Sequence, residues 1–257
     1  MRFALRESTR RVHVGTYTAA VIDKRVASLA AALDGLDDGA TVMVGGFGGS
    51  GYPAELVSAL RERGTRDLTL VANNAGTAAT GVGVLIANRQ VRKLICSFPL
   101  GRHVREGMET FWDLYHAGAL QVEILPQGTL VERIRAGGAG IPAFYPPTGP
   151  GTMLARDKEI RTIGGRACVL ETAIVAEFAL VRAAIADRTG NLVYRRAQRN
   201  FNTAMATAAR TTVAEVYEVV AAGALDPEVI ATPGIFVDRV VVVADDRPSR
   251  RVYGQAG

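Results

Sequence analysis

Short apolar runs rich in Val, Ile and Leu alternate with longer stretches of helical spacing through the first half of the chain. Apolar positions recur at helical spacing over residues 26–36, and Asp37, Asp38 and Gly39 then break the pattern. Thr41–Val44 is a β-branched-rich run that ends in a glycine loop. Pro53 opens a helix reaching about Arg63, since proline at the first helical position gives up no intrahelical hydrogen bond. Leu68–Ala72, 91–97 and 122–125 read as further strands, with helical period over 81–89 and 105–116. Strands alternating with helices predict a mostly parallel sheet covered on both faces.

Past Gly137 the texture changes. Residues 137–151 hold glycines and prolines among aromatics with no periodicity, and a loop that long is functional or disordered. Phe144 and Tyr145 favour an ordered one. Strands return at 167–170, 178–186 and 192–194, a short helix is expected at 204–209, and strands follow at 212–216 and 239–243. No internal repeat and no linker break this series. The organisation predicted is an N-terminal extension over 1–20 and a single domain over 21–250.

Composition adds limits rather than a function. A chain of 257 residues, 48% hydrophobic and 21% charged, can bury a large core. Its net charge of +5 suits an anionic ligand, but the basic residues are scattered and argue against a nucleic-acid surface. Cys96 and Cys168 lie inside apolar runs and read as buried, reduced thiols, and no metal cluster is visible. No run of ~18 apolar residues is present, so no membrane span is expected. The N-terminus carries Arg2, Arg6, Arg10 and Arg11 without an apolar secretory core; it reads as an unstructured extension rather than a transit peptide, and the cytoplasm is the default location.

The strongest local signal is Gly46-Phe47-Gly48-Gly49-Ser50-Gly51, which fits G-x-G-x-x-G between a strand and a helix. Such a loop offers bare backbone N–H groups beside a helix N-terminus, where an anionic or carbonyl oxygen can approach closely. A nicotinamide site would place a carboxylate at the end of the next strand to grip the ribose. That strand ends in Val71-Ala72-Asn73-Asn74 instead. The fingerprint is half met. Dinucleotide binding, a plain structural turn and another phosphate- or acyl-bearing ligand all stay open on the residues alone.

A longer string, from Asp38-Gly39-Ala40-Thr41 through Gly45-Gly46-Phe47-Gly48-Gly49-Ser50-Gly51-Tyr52-Pro53, resembles the signature of the A-type subunit in family I coenzyme A transferases. Further matches follow in the family's order: Asn73-Asn74-Ala75-Gly76, Pro126-Gln127-Gly128-Thr129, residues 132–140, Pro147-Thr148-Gly149 and Arg199-Asn200-Phe201-Asn202. The likeness runs from about Arg25 to Val243. It implies the α/β coenzyme A transferase fold, an open three-layer sandwich with a mostly parallel sheet flanked by helices.

The resemblance also implies a ping-pong exchange through a glutamyl-CoA thioester, in which covalent catalysis splits one difficult step into two. The attacking glutamate belongs to the B-type subunit, in a Ser-Glu-Asn-Gly type motif, and no Glu-Asn-Gly occurs in this chain. The chain is therefore expected to need a B-type CoA-transferase subunit, in an A2B2 assembly, with coenzyme A as cosubstrate and no tightly bound cofactor. By the same resemblance Gln127 serves the oxyanion. Gly45, Gly46, Phe47, Gly48, Gly49, Ser50 and Gly51 form the CoA-contacting loop. Asn73 and Asn74 match amides near the acyl site, with turn formation as their competing role. Asn200 and Asn202 match the family without an assigned step. Glu132, flanked by Arg133 and Arg135, reads as a structural ion-pair partner, and Glu171 has no motif that would make it the nucleophile. His103 and His116 lack a Ser or Cys partner pattern and read as non-catalytic.

Cys96-Ser97-Phe98-Pro99 is closer to bacterial 3-oxoadipate CoA-transferases than to the Tyr-Val-Gly-Glu-Asn of mammalian-type 3-ketoacid enzymes. Residues 231–237 point the same way. The acid expected is 3-oxoadipate, in aromatic catabolism, with acetoacetate next. Arg102 would pair with the distal carboxylate of a dicarboxylic oxoacid, against the plainer reading of a solvated loop arginine. A CoA-ester hydrolase or lyase, or a non-catalytic CoA- or nucleotide-binding subunit, are the rival classes on the same scaffold.

Overall fold

The computed structural model describes residues 22–99 and 109–244. In chain order the first elements are α1 (Leu29–Ala32), β1 (Thr41–Val44), α2 (Ala54–Arg63), β2 (Leu68–Ala72) and α3 (Gly83–Ala87). They are followed by β3 (Val91–Cys96), α4 (Glu109–His116), β4 (Gln121–Ile124) and α5 (Gln127–Gly138). Four short strands come next: β5 (Ala143–Phe144), β6 (Ile160–Ile163), β7 (Arg166–Val169) and β8 (Glu171–Thr172). The chain then runs through β9 (Ala176–Arg182), β10 (Ile185–Asp187), β11 (Leu192–Val193), α6 (Asn202–Thr207), β12 (Ala209–Val216), β13 (Glu218–Val220) and β14 (Arg239–Val242).

Seven strands form the central sheet in the order β14-β12-β9-β1-β2-β3-β4. Every pairing in it is parallel. Period-two alternation divides its side chains between two cores. Val42, Val44, Leu68, Leu70, Leu94, Phe178 and Leu180 face one way, onto apolar residues of α1 to α4. Met43, Val71, Ile95, Ala179 and Val181 face the other, onto Leu130 and Ile134 of α5 and Met205 of α6. This is the three-layer α/β sandwich. Both faces are buried, so the strands read as continuous apolar runs in the sequence.

Local chemistry sets the helix limits that matter for the site. Pro53 occupies the cap before α2 rather than its first turn, and Gly64 closes the helix in the left-handed conformation at φ 73°, its N–H donating to Arg61 O. Pro126 caps α5, which makes Gln127 its first residue. Arg133 ties α5 to its surroundings, donating to Thr172 O (2.6 Å) and Glu123 Oε1 (2.9 Å). Glu171 is buried beside it and pairs with Lys158 at 2.7 Å.

Several boundaries differ from the sequence reading. The helix expected over 26–36 is regular only over Leu29–Ala32 and ends in turns. In the 137–151 loop, Gly137 and Gly138 complete α5, while Ala143–Phe144 pairs with β8. The loop is ordered, as its aromatics implied. Strand β6 lacks any alternation, every residue of it being exposed, and so left no apolar period to detect. The single run expected over 178–186 divides between two sheets, β9 joining the large one and β10 a small sheet with β11 and β13. Cys96 and Cys168 are buried and unbridged. Among the described residues no helix is long and apolar enough to cross a membrane.

Candidate functional site

In the sheet order, successive strands run outward from β1 through β2 and β3 to β4, whereas β9, β12 and β14 continue on the other side of β1. The order reverses between β1 and β9. An open parallel sheet leaves a crevice beyond the carboxyl ends of its strands at such a point. The glycine loop leaves β1 there, Asn73 and Asn74 follow β2, Ser97 and Phe98 follow β3, and Gln127 follows β4. Parallel register is thus what gathers four separated segments at one edge.

Phe47 and Ser50 exchange backbone hydrogen bonds of 3.0 and 2.9 Å. Gly48 and Gly49 between them stand at φ 55° and 85°, a tight turn that suits two glycines. Facing this loop is a second turn, in which Thr77 and Thr80 bond each other through backbone and hydroxyls. A cavity of about 150 Å³ lies between them, walled by Gly45, Gly46, Gly49 and Tyr52 on one side and Gly76, Thr80, Gly81 and Val82 on the other. Asn73 and Asn74 complete its wall. Among the described residues, no charged side chain lines it.

The amides at its edge form a directed chain. Gln127 Nε2 donates to Asn73 Oδ1 at 2.6 Å, and Asn73 Nδ2 donates to Asn74 Oδ1 at 3.2 Å. Asn73 is only 4% exposed, and its carbonyl accepts from the N–H groups of Ser97 and Phe98 at 3.1 Å each. Neutral N–H donors held in fixed directions beside a cavity suit stabilisation of charge that develops on an oxygen.

The loop is held from behind. Asn202 is fully buried; its Nδ2 donates to Gly51 O (2.9 Å) and Gln198 O (2.7 Å), and its Oδ1 accepts from Arg182 N (3.1 Å). A Cβ on Gly45 would lie 1.8 Å from Asn202 Oδ1, so only glycine fits there. Asn200 Nδ2 donates to Ser50 O at 2.9 Å. Both asparagines therefore have a role that could not be assigned from the sequence: they clamp the glycine loop.

A buried ionic group lies beneath. Glu215 of β12, fully buried, accepts the N–H of Leu56 in the first turn of α2 at 2.8 Å. Its carboxylate lies 3.2 Å from Arg182 Nε, and Arg182 Nη1 donates to Tyr52 O at 3.1 Å. Burial pushes the Glu215 carboxyl up to about 7, with the Leu56 N–H and Arg182 pulling it down. The anion at the N-terminus of α2 is thus internal. A pyrophosphate would find that helix end taken, which removes the support for a dinucleotide turn. Glu215 was missed in the sequence, although an acid within the apolar run Val213-Ala214-Glu215-Val216 was its signal.

The expected site residues divide accordingly. Gly45, Gly46, Gly49, Asn73 and Asn74 line the cavity; Phe47, Gly48 and Ser50 shape its turn, and Gly51 packs against Asn202. Gln127 reaches the cavity through Asn73 rather than lining it. Arg102 and His103 lie outside the described residues. Glu132 pairs with Arg135 at 2.8 Å, and His116 stacks on Trp112. Among the described residues no group of three or more His, Cys, Asp or Glu could hold a metal ion.

Known proteins are similar to this chain in sequence and in fold. The family model described as "Coenzyme A transferase" matches residues 26–243. The A-type subunit of Pseudomonas putida 3-oxoadipate CoA-transferase is 51% identical over 87% of this chain and 95% of its own. The A-type subunit of the succinyl-CoA:3-ketoacid coenzyme A transferase of Xanthomonas campestris pv. campestris strain B100 is 50% identical over 89% of this chain and 92% of its own. In fold, the chain is similar to the acyl-CoA transferase YdiF of Escherichia coli O157:H7. The TM-score is 0.73 at 20% identity, covering 87% of this chain and 48% of that one.

Proposed function

The chain belongs to the coenzyme A transferase family, and from that premise we propose that it is the A-type subunit of a heteromeric enzyme moving CoA from succinyl-CoA to a 3-oxoacid. The observation that carries the reading is the amide chain Gln127 to Asn73 to Asn74 at the edge of a glycine-walled cavity with no charged lining among the described residues. Such a cavity accepts a neutral thioester or anhydride, and its donors favour the oxyanion form.

In this exchange a glutamate of the B-type subunit attacks the acyl-CoA carbonyl and the thiolate leaves, giving a mixed anhydride. The thiolate then attacks the glutamyl carbonyl and expels the first acid, leaving a glutamyl-CoA thioester. The incoming acid repeats the two steps in reverse. Each addition places charge on a carbonyl oxygen, where the Asn74 amide and the second N–H of Gln127, whose first is held by Asn73, act as donors without reorganisation. The glycine loop Gly45 to Gly51 lets the acyl end of CoA approach the backbone.

Relatives named for 3-oxoadipate and for 3-ketoacids are nearly equal in identity, so overall likeness does not choose the acid. Cys96-Ser97-Phe98-Pro99 favours 3-oxoadipate, whose distal carboxylate Arg102 would pair, in aromatic catabolism. The family reading adds an A2B2 assembly, and the cytoplasm is the default location. Acetoacetate is the second acid.

The test is exchange of isotope-labelled succinate into succinyl-CoA, by the chain alone and with its co-expressed B-type partner. Exchange should require both chains. Full-speed exchange by the solitary chain would refute the reading, and release of free CoA without exchange would point to a hydrolase. Arg102→Ala in the active complex should lower the preference for 3-oxoadipate over acetoacetate; an unchanged ratio removes Arg102 as a determinant of specificity.

A further inference from the structure

If the proposed function holds, as this inference requires, the charged end of coenzyme A still lacks a holder. Among the described residues, no cationic side chain lines the cavity. The N-terminus of α2, the usual phosphate seat behind a glycine loop, already holds the carboxylate of Glu215. A ligand with its acyl group in the cavity must therefore place its phosphates against cations elsewhere.

Cations stand next to the loop. The segment entering α6 packs on the outer side of the glycine turn. There Asn200 bonds Ser50 O, and Gln198 O and Cα come within 2.7 and 2.9 Å of where a Gly51 Cβ would be. This segment bears Arg195, Arg196 and Arg199, all exposed, and no acid occurs in sequence between Asp187 and the buried Glu215. Arg196–Arg199 is a single 3-10 turn, so Arg196 and Arg199 stand on one short exposed segment. Arg196 also stands at φ 52°, a left-handed conformation that is unfavourable for a non-glycine residue. The Asn200 and Asn202 clamps hold that conformation in place, the same bonds that fix the glycine loop.

We propose that the exposed face of this turn, Arg196 and Arg199 with Arg195 beside them, binds the phosphate groups of the CoA cosubstrate, while its pantetheine arm crosses the glycine turn to the cavity. Guanidinium groups pair with phosphate oxygens in a bidentate fork, which suits them to this task. Because Asn200 and Asn202 hold both the arginine turn and the loop, the distance between phosphate grip and acyl cavity is fixed by the fold.

The experiment compares two thioesters on the complex with the B-type subunit: succinyl-CoA, and succinyl-pantetheine, which has no nucleotide. Arg199→Ala should raise KM for succinyl-CoA roughly fivefold, the scale of one exposed charge pair. Arg196→Ala/Arg199→Ala should raise it further with kcat little changed. KM for succinyl-pantetheine should not move, Arg199→Lys should recover part of the loss, and Arg61→Ala at the far end of α2 should behave as wild type. Equal effects on both thioesters, or none on either, would overturn the proposal. A wild-type complex that exchanges no CoA would sink the functional reading instead. Calorimetric binding of CoA to the complex then decides the arginines: no binding, or binding that Arg196→Ala/Arg199→Ala leaves intact, overturns them.

Discussion

Gln127 and Gly45 carry different kinds of information at the scale of single residues. Gln127 was legible because its flanking motif is specific, yet its geometry was not: one N–H of its amide is held by Asn73, a partner 54 positions away. Removing the amide takes a donor from the developing oxyanion, so Gln127→Ala should lower kcat by about 10²–10³-fold while KM stays near wild type. Steady-state rates of the reconstituted complex check this, and a loss confined to KM would assign Gln127 to binding alone. Gly45 was legible only as one of several glycines. The structure singles it out, because an added methyl group would meet Asn202 Oδ1 at 1.8 Å. Gly45→Ala should destabilise the protein by ~1–3 kcal/mol, the range for overpacking, read as a lower denaturant midpoint. The asparagines that no step could claim from sequence turn out to be the clamp, a role that requires knowing which carbonyls lie within reach.

At the scale of elements, strands in the buried sheet were read well because continuous apolar runs survive burial on both faces. Strand β6, exposed throughout, and the division between β9 and β10 were not, since neither leaves a period in the sequence. The coupling of β12 to α2 was equally hidden: Glu215 lies 159 positions from the amide it accepts. Its carboxyl is raised from an ordinary value of 4.5 to about 7. A group raised in the folded state adds stability in full below its unfolded value and loses it as pH rises through the folded value. The wild-type chain should therefore lose stability between pH 4.5 and about 7 relative to Glu215→Gln, which keeps an acceptor oxygen for Leu56 without the charge. Denaturant midpoints at pH 5, 6, 7 and 8 test the sign. A gap that stays constant across this range would show that Glu215 does not titrate there.

For the molecule as a whole, the sheet supplies a cavity and donors but the chain has no Glu-Asn-Gly from which the attacking carboxylate could come. Co-expression with the B-type subunit should give a complex with equal numbers of the two chains and the mass of four, measured by light scattering. A stable 1:1 dimer would replace the A2B2 expectation without touching the chemistry. What the sequence determined alone was the run of strands in the large sheet and the family. Apolar periods, proline and glycine punctuation, and long motifs are local properties that a linear string records. What tertiary structure alone decided was which of those motifs face one another. Parallel register and the reversal between β1 and β9 bring four distant strand ends to one crevice. Contacts across 54, 150 and 159 positions then settle which amide meets which, what holds the loop, and why the helix end behind it is already occupied. Such contacts depend on packing, and packing is not written at any single position of the chain.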